Sequence, residues 1–103
     1  LNLVSGDALE WKLKGERYLK ASGVPYTIVR PGGLNDKPAG QTGIEFRQGD
    51  EGMGSISRAD VAAVLVASLG EPAALARTFE ISADPGLAPG AWRQSFRSLR
   101  RDP

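Results

Sequence analysis

The stretch from Asp7 to Leu34 constrains the fold more than any other. Asp7 has the character of a helix N-cap, with Glu10 three residues on. Leu9, Leu13 and the Trp11/Tyr18/Leu19 group then recur at helical spacing and predict a helix from about Ala8 to Ser22. Gly23 suits the left-handed position that stops a helix, and Pro25 cannot continue one. Pro25 to Arg30 (PYTIVR) is a β-branched and aromatic run, read as a strand buried on both faces. A helix feeding directly into such a strand points to the α/β class, with helices flanking a parallel sheet.

Downstream, Pro31-Gly32-Gly33 ends the strand, and residues 34–42 read as a Gly/Pro/Asn/Asp loop. Residues 43–57 read as a small β-hairpin, Ile44-Glu45-Phe46 against Ser55-Ile56, with its turn near Gly49 to Gly52. Ser57 and Asp60 form a second capping box ahead of an apolar helix, Arg58 to Leu69, closed by Gly70 and Pro72. Residues 73–76 add a helical turn, and Thr78 to Ser82 a strand. Strand 25–30, helix 58–69 and strand 78–82 make one βαβ unit, expected to be parallel with a right-handed crossover. Residues 1–6 read as loop. The organisation is then residues 1–84 as one α/β portion and 85–103 as a linker with a short basic amphipathic helix. On that helix Trp92, Phe96 and Leu99 oppose the arginines.

Composition removes several function classes. The sequence holds no cysteine and no histidine, which excludes disulfides, Cys/His metal sites and His-based triads. No apolar run approaches the ~18–20 residues of a membrane span. Residues 1–84 carry nine Lys/Arg and eleven Asp/Glu, so the body has no charge bias towards nucleic acid. Arg93, Arg97, Arg100 and Arg101 make only the tail basic, and that stripe reads as packing rather than as a membrane or nucleic-acid contact. The expected location is cytoplasmic. The first residue is Leu1 rather than Met, which points to processing or to a piece of something longer.

Trp11 to Leu34 (WKLKGERYLKASGVPYTIVRPGGL), Ile56 to Ala62 (ISRADVA) and Thr78 to Ile81 (TFEI) together resemble the atypical short-chain dehydrogenases/reductases, including NmrA-like and plant NAD(P)-binding proteins. The likeness covers roughly residues 7–82 and implies the C-terminal half of a Rossmann-type fold. It implies NADP or NAD as cofactor of the intact protein, with Lys12 at the nicotinamide ribose and Pro31, Gly32, Gly33 and Leu34 at the nicotinamide end. Arg58 is a candidate substrate contact. In short-chain dehydrogenases a proton-donating Tyr precedes that Lys by four residues, and here the position is Ala8. Alanine cannot donate a proton, so the chain alone is expected to be inactive. Without resemblance, Lys12 reads as a solvated lysine beside Glu16 on one helix face.

No Gly-rich turn joins a strand to a helix anywhere in the sequence, so the pyrophosphate grip is absent. The glycines of Gly49 to Gly54 lie between short strands and read as a turn. The chain is therefore expected to bind no dinucleotide by itself. With only two parallel strands foreseen, the helices should keep uncovered apolar surface, which predicts a homo-oligomer or union with the missing half. Three functions stay open: an oxidoreductase-like protein, a dinucleotide-sensing regulator, or a self-associating module without cofactor.

Overall fold

The structure is a computed structural model that describes residues 2–4, 9–49 and 54–103, with side chains from residue 15 onward. Its elements are β1 (Asn2–Val4), α1 (Leu9–Ser22), β2 (Tyr26–Pro31), β3 (Gly33–Asn35), β4 (Gly43–Arg47), β5 (Ser55–Ser57), α2 (Arg58–Leu69) and β6 (Arg77–Asp84). Two 3₁₀ helices, Pro72–Ala74 and Ala91–Ser98, complete it. The α/β class with a parallel sheet is as the sequence predicts.

The main sheet runs β1-β2-β6-β4. β1, β2 and β6 are parallel, and β4 joins β6 antiparallel. β3 and β5 form a separate parallel pair, with Leu34 opposite Ile56. Three expectations are corrected here. Residues 2–4 are a strand, not loop, because β2 offers them a parallel edge. The 43–57 hairpin does not form: its two strands belong to different sheets, each drawn to a distant partner. The turn assigned to Gly49–Gly54 lies largely outside the described residues. Among the described residues the main sheet holds three parallel strands rather than two.

Side chains alternate across a strand, and this sorts the layers. Val29, Phe79 and Ile81 face one way and form a core with Val61 and Val64 of α2 and with Trp92, Phe96 and Leu99. Phe46 stacks on Phe79 at 4.9 Å between centroids, and Phe96 stands edge-on to both. The tail's apolar stripe thus packs on the sheet, although as a 3₁₀ helix over 91–98 rather than a longer α-helix. Arg30 and Glu80 face the other way, towards Glu16 of α1. The two α-helices therefore lie on opposite faces. The steps β1 to β2 and β2 to β6 run in one direction across the sheet, so their connections have opposite hands. The right-handed rule expected for the crossover does not cover both.

After Leu99 the chain rounds the amino end of the strands onto the α1 side. Asp102 N–H donates to the Ala76 carbonyl at 2.7 Å, and Gln48 clasps Arg100 through both its backbone N–H and its carbonyl. Among the described residues no helix is long and apolar enough to cross a membrane.

Candidate functional site

Open α/β sheets bind ligands outside the carboxyl ends of their parallel strands. At that edge β1 ends before α1 begins, and β2 passes through Pro31-Gly32-Gly33 into β3. The crossing is a backbone affair. Gly32 N–H donates to the Ile81 carbonyl at 3.0 Å, and Gly33 N–H to the Gly54 carbonyl at 3.0 Å. A Cβ on Gly32 would lie 2.0 Å from the Gly54 oxygen, so only glycine lets the two segments meet. A Cβ on Gly33 would meet nothing within 4 Å. Of the four predicted loop residues, Leu34 packs against the core and Gly33 is exposed. Both glycine amides are engaged within the chain, so a ligand here meets carbonyl oxygens and the bare Gly33 Cα.

α1 is oriented against this edge by a buried ion pair that the sequence did not disclose. Arg30 Nε and Nη2 grip Glu16 at 3.1 and 2.5 Å, and Nη1 lies 3.6 Å from Glu80. Glu16 is 2% exposed and Glu80 5%. A bidentate Arg–carboxylate contact fixes direction as well as distance, so it sets the rotation of α1 about its own axis. Position 12 lies one turn before Glu16 on the same face, nearer the carboxyl edge. The Lys12 side chain and Ala8 lie outside the described residues.

Beside the crossing, a cavity of about 190 Å³ opens among Asn35, Lys37, Gln41, Thr42, Ser57 and Asp60. Sequence reading left Asn35, Lys37, Gln41 and Thr42 inside an undivided loop and gave Ser57 and Asp60 only a capping role. The usable signal was its place, directly after a parallel strand. Asp60 carries the loop: its Oδ1 accepts from Gly40 N–H at 3.0 Å, while Ser57 Oγ caps the helix by accepting from Asp60 N–H. The expected capping box is thus half-formed, because the Asp60 carboxylate reaches the loop. Arg58 is exposed at the rim, paired with Asp36 at 2.7 Å, and does not line the cavity.

Larger hollows of about 410 and 510 Å³ lie at the opposite end, under residues 100–103. There Asp102 Oδ2 accepts from Tyr26 Oη at 2.9 Å and from Thr78 Oγ1 at 2.6 Å, with Lys20 Nζ at 3.9 Å. Burial, then the Asp102 hydrogen bond and charge, push the Tyr26 phenol up to about 12. Tyr18 is 75% exposed. Tyr26 thus keeps its proton, and as the first residue of β2 it stands at the amino end of the strand, away from the carboxyl edge. The edge supplies hydrogen bonds and charge for holding a polar ligand.

The NAD(P)H-binding family matches residues 2–72, which hold the carboxyl-edge crossing and all of α1 and α2. The chain belongs to that family. Among its relatives, an uncharacterized chloroplastic protein of Arabidopsis thaliana is 39% identical over 92% of this chain and 30% of its own length. Sanguinarine reductase of Eschscholzia californica is 39% identical over 79% of this chain and 31% of its own length. The chain thus spans about a third of these relatives (30% and 31%). A solved structure, a putative NAD-dependent epimerase/dehydratase from Bacillus halodurans, superposes with a TM-score of 0.74 at 29% identity. That superposition covers 88% of this chain and 41% of the neighbour. This member of the NAD(P)H-binding family therefore carries part of a Rossmann-like fold shared by oxidoreductase- and epimerase-like proteins.

Proposed function

We propose that this chain supplies the nicotinamide and substrate side of an NAD(P)(H)-dependent protein of the atypical short-chain dehydrogenase type, and that the pyrophosphate grip comes from outside these residues. The observation that carries this is the bare backbone of Gly33, facing open space at the carboxyl end of β2. It stands beside a helix whose rotation the Glu16–Arg30 pair fixes. A flat ring can approach backbone that carries no Cβ. In this reading Lys12 meets the ribose, Pro31 to Leu34 border the nicotinamide, and the Asn35/Lys37/Gln41 cavity receives the substrate. The bound dinucleotide would supply hydride chemistry; these residues position it and shape the space beside it.

Ala8 favours a second reading, dinucleotide sensing without turnover, because no proton donor stands four residues before Lys12. Calorimetric titration with NADPH tests the main reading. The chain alone should show no saturable binding. A polypeptide that joins it to a strand–Gly-rich turn–helix segment should bind, with Lys12→Met weakening affinity about tenfold, roughly 1.4 kcal/mol. Tight binding by the chain alone would refute the division of labour. Oxidation of NADPH with carbonyl substrates by the longer polypeptide would separate enzyme from sensor.

A further inference from the structure

α2 is apolar on more than one side. From Val61 to Gly70 (VAAVLVASLG) it carries no charge. Val61, Val64 and Ser68 are buried against the sheet. On the outer side Ala59, Ala62, Val66 and Leu69 are all exposed, Val66 at 69% and Leu69 at 56%. A helix that is apolar all round is normally covered all round. The spacing 59, 62, 66, 69 runs three, four, three, the seam by which two helices pack side by side.

We propose that this outer face of α2 joins two copies of the chain, with the two helices antiparallel about a two-fold axis. Volume decides the occupant and the direction. The first half of the seam is small (Ala59, Ala62) and the second half large (Val66, Leu69). Only an antiparallel copy sets Ala59 against Leu69 and Ala62 against Val66, filling each shallow position with a bulky one. A two-fold axis makes both ends of the contact equivalent. Charge follows the same direction. Arg58, at the helix start where the dipole disfavours a cation, comes beside the last-turn carbonyls and Glu71 of the second copy. It is exposed and keeps its Asp36 contact within its own chain. The Glu71 side chain in turn comes near the second copy's helix start. Leu65 and Ala67 already pack on the core, so the seam is narrow. One helix of 12 residues buries less than the ~1,200 Å² of a standard interface, which sets a weak dimer, half-associated at roughly tens to hundreds of micromolar.

The test is sedimentation of the chain over a wide concentration range, with two kinds of variant. Wild type should pass from monomer to dimer. Val66→Glu should stay monomeric while its circular dichroism is unchanged, a weakening of at least about tenfold. The sequence has no cysteine, so introduced thiols report geometry directly. Mixed under oxidation, Ala59→Cys and Leu69→Cys should cross-link to each other. Ala59→Cys should not link to itself, since ten residues separate the copies' equivalent positions by about 15 Å. A monomer at every concentration, a dimer indifferent to Val66→Glu, or efficient Ala59→Cys self-linkage would each overturn the proposal. Should the wild-type chain stay monomeric while the longer polypeptide shields Val66 from solvent, the face belongs to another segment and the dimer is wrong.

Discussion

The two faces of the main sheet use different physics to do the same job. On one, Val29, Phe79, Ile81 and Phe46 meet α2 and the tail's aromatic rings in a hydrocarbon core. On the other, among the described residues, β2 and β6 meet α1 and residues 100–103 through Glu16, Arg30, Glu80 and the Asp102 cluster, beside the buried Ile28. The hydrocarbon face tolerates sliding, since its contacts are non-directional. The ionic face does not: a bidentate guanidinium pair has one geometry. The face that must aim a helix at the carboxyl edge is the one built from directional contacts.

That contrast predicts a ranking. Phe79→Ala should cost the most, about 3–5 kcal/mol by urea denaturation, because it empties the centre of the aromatic cluster. A loss under about 1 kcal/mol would mean the hydrocarbon face is not one continuous core. Arg30→Met comes next, at about 3 kcal/mol, because it leaves Glu16 buried without its guanidinium partner. Combining Arg30→Met with Glu16→Leu should recover part of that loss, since replacing both members of a buried pair by apolar residues is far milder than removing one. No recovery would assign the loss to packing instead of charge. Asp102→Ala should cost about 1–2 kcal/mol, the penalty for leaving two hydroxyls without their acceptor.

The smallest effect is the most specific. Folding raises the Tyr26 phenol from 10.0 to about 12, so folding favours its protonated form. The associated stability is complete below pH 10 and drains away as pH rises through about 12. Tyr26→Phe should lower stability at neutral pH and flatten this alkaline loss, read from denaturation midpoints across that window. An unchanged alkaline slope would place the phenol outside the Asp102 cluster.

What could be read from sequence was what is encoded locally. The α1–Gly23–β2 passage carries its own stop signal, and Gly23 does take a positive φ of 75°. α2 has its Ser57 cap, and its boundaries came out as expected. The hairpin failed because two short runs around glycines look like partners when only neighbours are compared. β4 instead pairs with β6, where Phe46 lies opposite Ile81. β1 has three residues, too few to announce a strand without its partner. At the site, Pro31 to Leu34 could be placed from the end of β2. Arg30 gave no sign of Glu16 or Glu80, because the ion pair exists only once α1 lies across the sheet. Asp60 looked complete as a helix-start acid, so its grip on Gly40 had no signature.

The order β1-β2-β6-β4 also has a bearing on how fast this chain finds its shape. β6, an interior strand, comes last of the strands in sequence, and Thr27 must find Arg77 across about half the chain to seat it. Until it arrives, β4 has no neighbour and β2 shows a bare edge. Closing such a long loop costs entropy before any contact repays it. The rate-limiting step should therefore be insertion of β6. The species waiting for it, with unpaired strand edges on both sides of the gap, is the one from which aggregation would begin.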